Sequence, residues 1–441
     1  MPQPPLVPPS SGYRRYVLIL LTFVYALNFI DRQILVILQE SIKQDMDLSD
    51  SQLGLLTGFA FAIFYVSVGI PIARWADVGN RRNIVSIALA LWSGMTALSG
   101  LTQNYLQLLL ARIGVGVGEA GGSPPAHSII SDYYPPAQRG RALSFYSMGV
   151  YVGILLGFLV GGWINQHYGW RIAFFAVGLP GILVALLVRF SVREPHRGAS
   201  DGLTQQDPVS LSVTLGTLWK LRSFRYFSLA AGLTAFTSYG AGNFLPSFLI
   251  RSHGLSVMEV GVSLSLIVGV GGAIGTYLGG FIADRLGQQE PRWYLWVSAI
   301  MCLLGVPLTI VACFAGNSSL VLGLLFFSTL FGACYLGPTI AITHSLVSPG
   351  MRAIASAVLF FILNLVGLGL GPLAVGVISD LLAPSLGSDS LRYAIAIAMG
   401  AGVLASAGFA IAAARLPEDL KRSAAPSMAG AEEGTPLPQT T

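Results

Sequence analysis

The chain has 441 residues, of which 54% are hydrophobic and 10% charged, with a net charge of +5 and three cysteines. A soluble domain carries about 25% charged residues, so this composition excludes a water-soluble globular protein and points to a polytopic membrane protein. The positive balance calls for no nucleic-acid partner, because the placement of the bases accounts for it.

The chain opens on MPQPPLVPPSSGYRRY, which is Pro-rich and polar, and the first apolar run is long enough to span rather than be removed. No cleavable signal peptide is therefore expected. A helix needs about 20 apolar residues to cross the hydrocarbon core. Twelve such runs follow: 16–38, 53–74, 83–101, 106–130, 140–165, 170–190, 225–250, 258–283, 292–314, 319–343, 352–378 and 391–414. They are continuous rather than alternating, which excludes barrel strands. The expected fold is all-α and integral to the membrane, with twelve transmembrane helices in two pseudo-symmetric six-helix bundles. Residues 1–15 read as a tail, 16–190 as the first bundle, 191–224 as a linker, 225–414 as the second bundle and 415–441 as a tail of disorder-like composition. Within the linker, the apolar and basic stretch from Leu218 to Arg225 suits the membrane surface. Pro124, Pro125, Pro246, Pro307, Pro338 and Pro372 are expected to kink or unwind their spans. Cys302, Cys313 and Cys334 lie in apolar runs and read as small core hydrophobes, not as disulfides or metal ligands.

Lys and Arg orient the chain. On this map one side holds 19 of the 25 bases and the other four: Lys43, Arg171, Arg251 and Arg392. The positive-inside rule then puts both termini and the linker in the cytoplasm of a cell whose inner membrane holds the protein.

The two halves echo each other. Asp77-Val78-Gly79-Asn80-Arg81-Arg82 follows the second span, and Asp284-Arg285-Leu286-Gly287 follows the eighth, with the acids 207 positions apart. Arg141 and Arg352, after spans four and ten, are 211 apart. A near-constant offset argues for duplicated six-helix halves, and such parallel repeats are a transporter architecture. Asp77, Arg81, Arg82, Arg141, Asp284, Arg285 and Arg352 are candidate cytoplasmic gate residues.

These residues carry a family likeness. The duplicated loop, Arg112-x-x-x-Gly116 in span four, and the ladder Gly149, Gly153, Gly157, Gly161 in span five resemble the major facilitator superfamily. More narrowly, Asn28-Phe29-Ile30-Asp31-Arg32, Asn80-Arg81-Arg82, the stretch from Arg112 to Ala120 and Gln138 to Tyr146 resemble the spinster family of lipid transporters. The second loop departs from the superfamily pattern, with Gln288 and Gln289 where bases are usual. The resemblance implies alternating access, proton coupling at the embedded charges and an amphipathic lipid substrate of the sphingosine-1-phosphate or lysophospholipid type.

Four charged residues lie well inside the runs, Asp31, Arg32, Arg112 and Glu119, and every other charge lies at or beyond a run's end. Each costs roughly 2.5–3.5 kcal/mol on insertion scales, and embedded charge defaults to a functional reading. Asp31 lies roughly 10 Å from the outer end of span one, Arg112 at similar depth in span four, and Glu119 two turns deeper on the same face. Asp31 or Arg32 is expected to meet Arg112, and Gly114, Gly116 and Gly118 to leave space beside Glu119. A buried carboxylate is pulled towards neutrality by desolvation and towards ionisation by a neighbouring Arg. Asp31 and Glu119 are therefore the expected proton-handling pair. Arg32 and Arg112 would hold them and bind an anionic headgroup, since phosphate competes with carboxylate for guanidinium. The alternative is a static buried salt bridge between two helices.

A cavity for an amphiphile needs apolar walls and few polar anchors. Tyr25, Asn28 and Phe29 in span one, Phe236, Tyr239, Asn243 and Phe244 in span seven, and Tyr335, Thr339, Phe360 and Asn364 in spans ten and eleven are candidates. Ordinary helix packing is an equal reading of each taken alone. The sequence has no nucleotide loop, metal-ligand cluster or catalytic triad at useful depth, so neither enzyme activity nor a cofactor other than the coupling proton is expected. A drug or small organic anion transporter is the alternative, and a non-transporting lipid receptor or scaffold is the alternative of another class. A monomer is expected.

Overall fold

Apolar runs of this length satisfy their backbone polar groups internally as helices, and the computed structural model, which describes residues 10–196 and 210–429, is helical with no strand among them. Twelve transmembrane units form two six-helix halves. Span one is a single helix, Ser11–Met46, about 54 Å long at 1.5 Å per residue. It begins inside the stretch read as a tail, where the Ser10 hydroxyl caps Tyr13, and runs well past residue 38. Spans three, five, six and nine are the helices Arg81–Ser99, Pro136–Tyr168, Trp170–Ser191 and Trp293–Phe314. Span seven is Arg222–His253. Span twelve comprises Ser390–Ala398 and Gly400–Ala429. It carries helix beyond residue 414, with Leu416 and Asp419 buried. A short linker helix, Leu211–Lys220, precedes span seven. Residues 1–9, 197–209 and 430–441 of the tails and linker lie outside the described residues.

Besides span twelve, five spans are irregular, and in two pairs the irregularity repeats between the halves. Span four breaks between Tyr105–Glu119 and Ser123–Tyr133, and its counterpart span ten between Ser318–Ala333 and Leu336–Ser345. Pro124 and Pro125 open the second piece of span four, where their missing N–H groups cost nothing. Pro246 and Pro307, by contrast, sit inside unbroken helices. Span two (Asp50–Gly54, Leu55–Phe59, Ala60–Val78) and its counterpart span eight (Val257–Leu264, Ser265–Gly271, Gly272–Gly287) each contain a π-helical segment. So does span eleven (Arg352–Ile362, Leu363–Leu370, Gly371–Leu386). π segments occur often at functional sites, and here all three lie where the halves touch.

Small residues allow the closest helix approaches. In span five, a Cβ on Gly149 would stand 2.7 Å from the Thr22 carbonyl oxygen and one on Gly157 2.8 Å from Gln33 Cβ, while one on Gly153 would strike the Ala26 carbonyl. The ladder is thus the seat of span one. On the adjoining face, Gly162 packs on Val257 and Gly261 of span eight.

Contacts between the halves gather at the face away from the termini. Span two meets span eleven through Gly54 and Pro372, and Gly376 packs on Asp50. Span one meets span seven through Gln39 and Asn243. Nearer the termini, spans two and eleven turn partly exposed, with Phe64, Phe360 and Phe361 open. The molecule is closed on one face and open on the face that carries both termini.

Candidate functional site

Adjacent residues on a helix point about 100° apart. Asp31 and Arg32 use that angle to address different partners on spans three and four. The Asp31 carboxylate accepts from Arg112 Nη1 at 3.3 Å and from the Thr96 hydroxyl at 2.5 Å. Arg32 Nε donates to Glu119 Oε2 at 2.7 Å, while Glu119 Oε1 is buried without a hydrogen-bond partner among the described residues. The four charges therefore form two crossed pairs between spans one and four. Glu119 is the last residue of its helix piece, so the break in span four sits at the pair.

Exposure sets Arg32 apart from the other three charges, Arg112 being as buried as Asp31. The Glu119 side chain is fully buried and that of Asp31 nearly so, whereas the Arg32 side chain retains 16% exposure. Its guanidinium lies 5.1, 4.8 and 5.0 Å from the ring centroids of Phe29, Phe61 and Tyr65, a cation–π cage. Arg112 lies 5.9 Å from Phe61, and its Nε has no hydrogen-bond partner. A pocket beside them is lined by Phe29, Arg32, Gln33, Thr57, Phe61 and Arg112 from the first half and by Tyr239, Asn243 and Leu368 from the second. It presents both guanidinium groups and neither carboxylate.

The pocket's roof is the closed face. Gln39 donates to the Asn243 carbonyl at 2.6 Å and to Ser247 at 3.0 Å, and the Asn243 amide donates to the Thr57 carbonyl at 3.4 Å. Further out, Arg251 bonds Glu40 at 2.8 Å and Asp50 at 2.9 Å. Asp50 also accepts from Lys43 and from Ser379. Asp380 of span eleven accepts from the backbone N–H groups of Asp50 and Ser51 at 2.9 and 2.8 Å and from the Ser51 hydroxyl. The second half thereby caps the first turn of span two. Glu40, Lys43, Asp50, Arg251 and Asp380 lie beyond the expected span ends, where Lys43 and Arg251 serve only to orient the chain. Their signal is acids and bases at span ends in both halves, but apart from Lys43 with Asp50 the partners are some 200 residues or more away.

Among the gate residues whose side chains are described, none is bonded across the halves in this structure. Arg81, 1% exposed, donates to Glu194 at 2.7 Å, Ser128 at 2.7 Å, the Pro195 carbonyl at 2.8 Å and Asp132, all in the first half or the start of the linker that leaves it. The Arg82 backbone N–H donates to Glu194 at 2.8 Å. Asp284 accepts from Tyr294 of its own half, Arg352 donates to the His344 carbonyl, and Arg141 and Arg285 are exposed. The side chain of Asp77 lies outside the described residues.

The candidate cavity residues divide. Phe29, Tyr239 and Asn243 line the pocket, and Asn28 is buried. Tyr25 stacks on Tyr146 at 4.5 Å. Phe236 packs at Gly371, Tyr335 caps the second piece of span ten, half-buried, Phe360 is exposed, and Asn364 donates to the carbonyl of Phe360. Two expectations fail: Phe244 and Thr339 have no exposed surface. Phe244 belongs to the apolar core, and the Thr339 hydroxyl bonds carbonyls of its own helix. The glycines before Glu119 leave no space either. A Cβ at Gly116 would stand 2.9 Å from the Phe61 carbonyl and one at Gly118 2.7 Å from the Trp92 nitrogen, so they seat spans two and three.

Comparison with known proteins agrees with this architecture. The Major Facilitator Superfamily model matches residues 21–372. An MFS-type efflux pump of Mycolicibacterium smegmatis is 36% identical, the match covering 91% of this chain and 92% of that protein. Protein spinster homolog 1 of Xenopus tropicalis is 28% identical over 92% of this chain and 82% of its own length. Among solved structures, a bacterial homolog of the human lysosomal transporter Spinster, inward-facing and unoccupied, superposes with a TM-score of 0.86 at 34% identity, covering 93% of this chain and 99% of that one. The same description in an occupied conformation gives 0.78 at 34% identity, over 94% and 98%.

Proposed function

We propose that this chain, which belongs to the major facilitator superfamily and is a transporter of the spinster type, moves an amphipathic anionic lipid of lysophospholipid or sphingosine-1-phosphate-like chemistry by proton-coupled alternating access. The observation that carries this reading is the division of the crossed pairs, with the guanidinium groups of Arg32 and Arg112 on the pocket and Asp31 and Glu119 behind them. An anionic headgroup entering the pocket competes with the carboxylates for the same donors. A carboxylate that loses its guanidinium in a desolvated site takes a proton, and one that regains it releases the proton. Headgroup and proton are thereby linked through two shared cations. The apolar and aromatic wall around Tyr239 and Leu368, without charge, suits an acyl chain. By the Lys and Arg distribution, the open, terminus-bearing face is cytoplasmic.

The second reading is export of a drug or small organic anion through the same site, supported by the similarity to a protein described as an MFS-type efflux pump. Uptake in vesicles under an imposed proton gradient tests the coupling. Asp31→Asn and Glu119→Gln should each abolish gradient-driven uptake while leaving substrate binding measurable; wild-type pH-dependent transport in both overturns it. A binding-competition panel of lysophospholipids, sphingosine phosphates and soluble organic anions separates the two substrate classes.

A further inference from the structure

The linker helix Leu211–Lys220 is amphipathic in a way that the fold alone does not use. Ser210 caps it by accepting from the Val213 N–H. Thr214 and Leu218 are buried, and the helix packs on spans seven and eleven. Leu211, Leu215 and Trp219 recur every fourth residue, a stripe of about 80° beside that buried face. They are 53%, 43% and 72% exposed. A tryptophan left so open beside two leucines has an apolar partner to find. Three bases ring its end: Lys220, Arg222 and Arg225 are all exposed, and the Arg225 guanidinium lies 5.6 Å from the Trp219 ring. The surface continues onto exposed Tyr226 and Leu229 of span seven, a transmembrane helix, so the stripe meets the lipid-facing wall of the second half at its terminus-side edge.

We propose that this helix and its basic collar dock on the anionic phospholipid surface of the bilayer, with Leu211, Leu215 and Trp219 immersed and Lys220, Arg222 and Arg225 on the headgroup phosphates. Exposed apolar area with an aromatic at headgroup level supplies depth, and bases near an acidic leaflet supply attraction. The helix rests on spans seven and eleven at once, so a lipid-held linker ties the ends of those two spans to the membrane plane. This stands independently of what the pocket transports.

The full-length protein in nanodiscs tests it. Its three native cysteines are buried, so single spin labels at Leu215→Cys and Gly216→Cys report two faces of the helix about 100° apart, the first on the apolar stripe and the second off it. In phosphatidylcholine with phosphatidylglycerol, the Leu215 label should collide mainly with oxygen and the Gly216 label mainly with an aqueous nickel chelate. The oxygen-to-nickel ratio at Leu215 should rise at least twofold when phosphatidylglycerol is added, and Lys220→Gln, Arg222→Gln and Arg225→Gln together should remove that rise. Equal nickel access at both labels, a ratio indifferent to phosphatidylglycerol, or an unchanged response in the triple variant overturns the proposal. Restoring the collar as lysines should restore the rise.

Discussion

Arg251 and Glu40 stand 211 positions apart, the offset that separates Arg141 from Arg352, and they bond to each other at 2.8 Å across the two halves. Equivalent positions on spans one and seven thus carry opposite charges and meet on the closed face. Asp50, Lys43, Ser379 and Asp380 complete the closure. Rocking the halves apart on this face must break it and expose all its charges together.

Arg251→Gln should therefore favour the conformer open on that face. It leaves Glu40 without its guanidinium, and removing one member of a buried pair costs about 3–5 kcal/mol. A cysteine at Ser247, sealed in the wild type, should react with a membrane-impermeant maleimide at least tenfold faster in the variant. Equal rates would show that apolar contacts alone hold the face shut.

The crossed pairs predict non-additive stability. Arg32→Ala strands Glu119, which has no exposed side-chain surface, and Glu119→Ala frees Arg32 within its aromatic cage. A thermal-unfolding cycle should show each single change destabilising and the double variant recovering about 0.5–3 kcal/mol relative to their sum. Additive losses would mean that the two side chains do not depend on each other.

Arg32→Lys separates charge from shape. Lysine keeps the charge but loses the planar fork and most of the stacking on Phe29, Phe61 and Tyr65. Affinity for an anionic headgroup should fall about tenfold or more, while the protein remains folded by size-exclusion chromatography. Unchanged affinity would make Arg32 a point charge only.

Arg81 is a clamp within the first half and the start of its linker, rather than a bridge between halves, in this state. Arg81→Ala strips Glu194 and Asp132 of a guanidinium that is 1% exposed, so melting temperature should fall by several degrees. Arg141→Ala, at an exposed site, should leave it unchanged. Equal small effects would contradict the clamp.

The glycine ladder gives a packing test. Gly153→Leu drives a side chain into the Ala26 carbonyl, and overpacking of this kind costs typically about 1–3 kcal/mol. Gly140→Ala, with nothing within 4 Å, is the neutral control. Thermal melts of both in one detergent decide the matter.

Residue order alone carries the membrane class, the twelve spans, their duplication and the four embedded charges. Each is local: run length, repeat offset and the cost of charge in hydrocarbon read directly from residue order. Helix ends were misread because apolarity ends where the bilayer does, whereas backbone hydrogen bonding carries span one on to Met46 and span twelve to Ala429. Partner choice belonged to the tertiary structure. Asp31 takes Arg112 and Arg32 takes Glu119 because neighbouring residues on one helix point about 100° apart, and only the packed position of span four says which acid faces which base. The same holds for Arg251, Glu40, Asp50 and Asp380, unremarkable at their span ends until packing sets them together, and for the glycines before Glu119, whose space belongs to neighbouring helices. A charge inside a membrane declares in sequence that it needs a partner; which partner it gets is fixed by helices that meet only after the chain has folded.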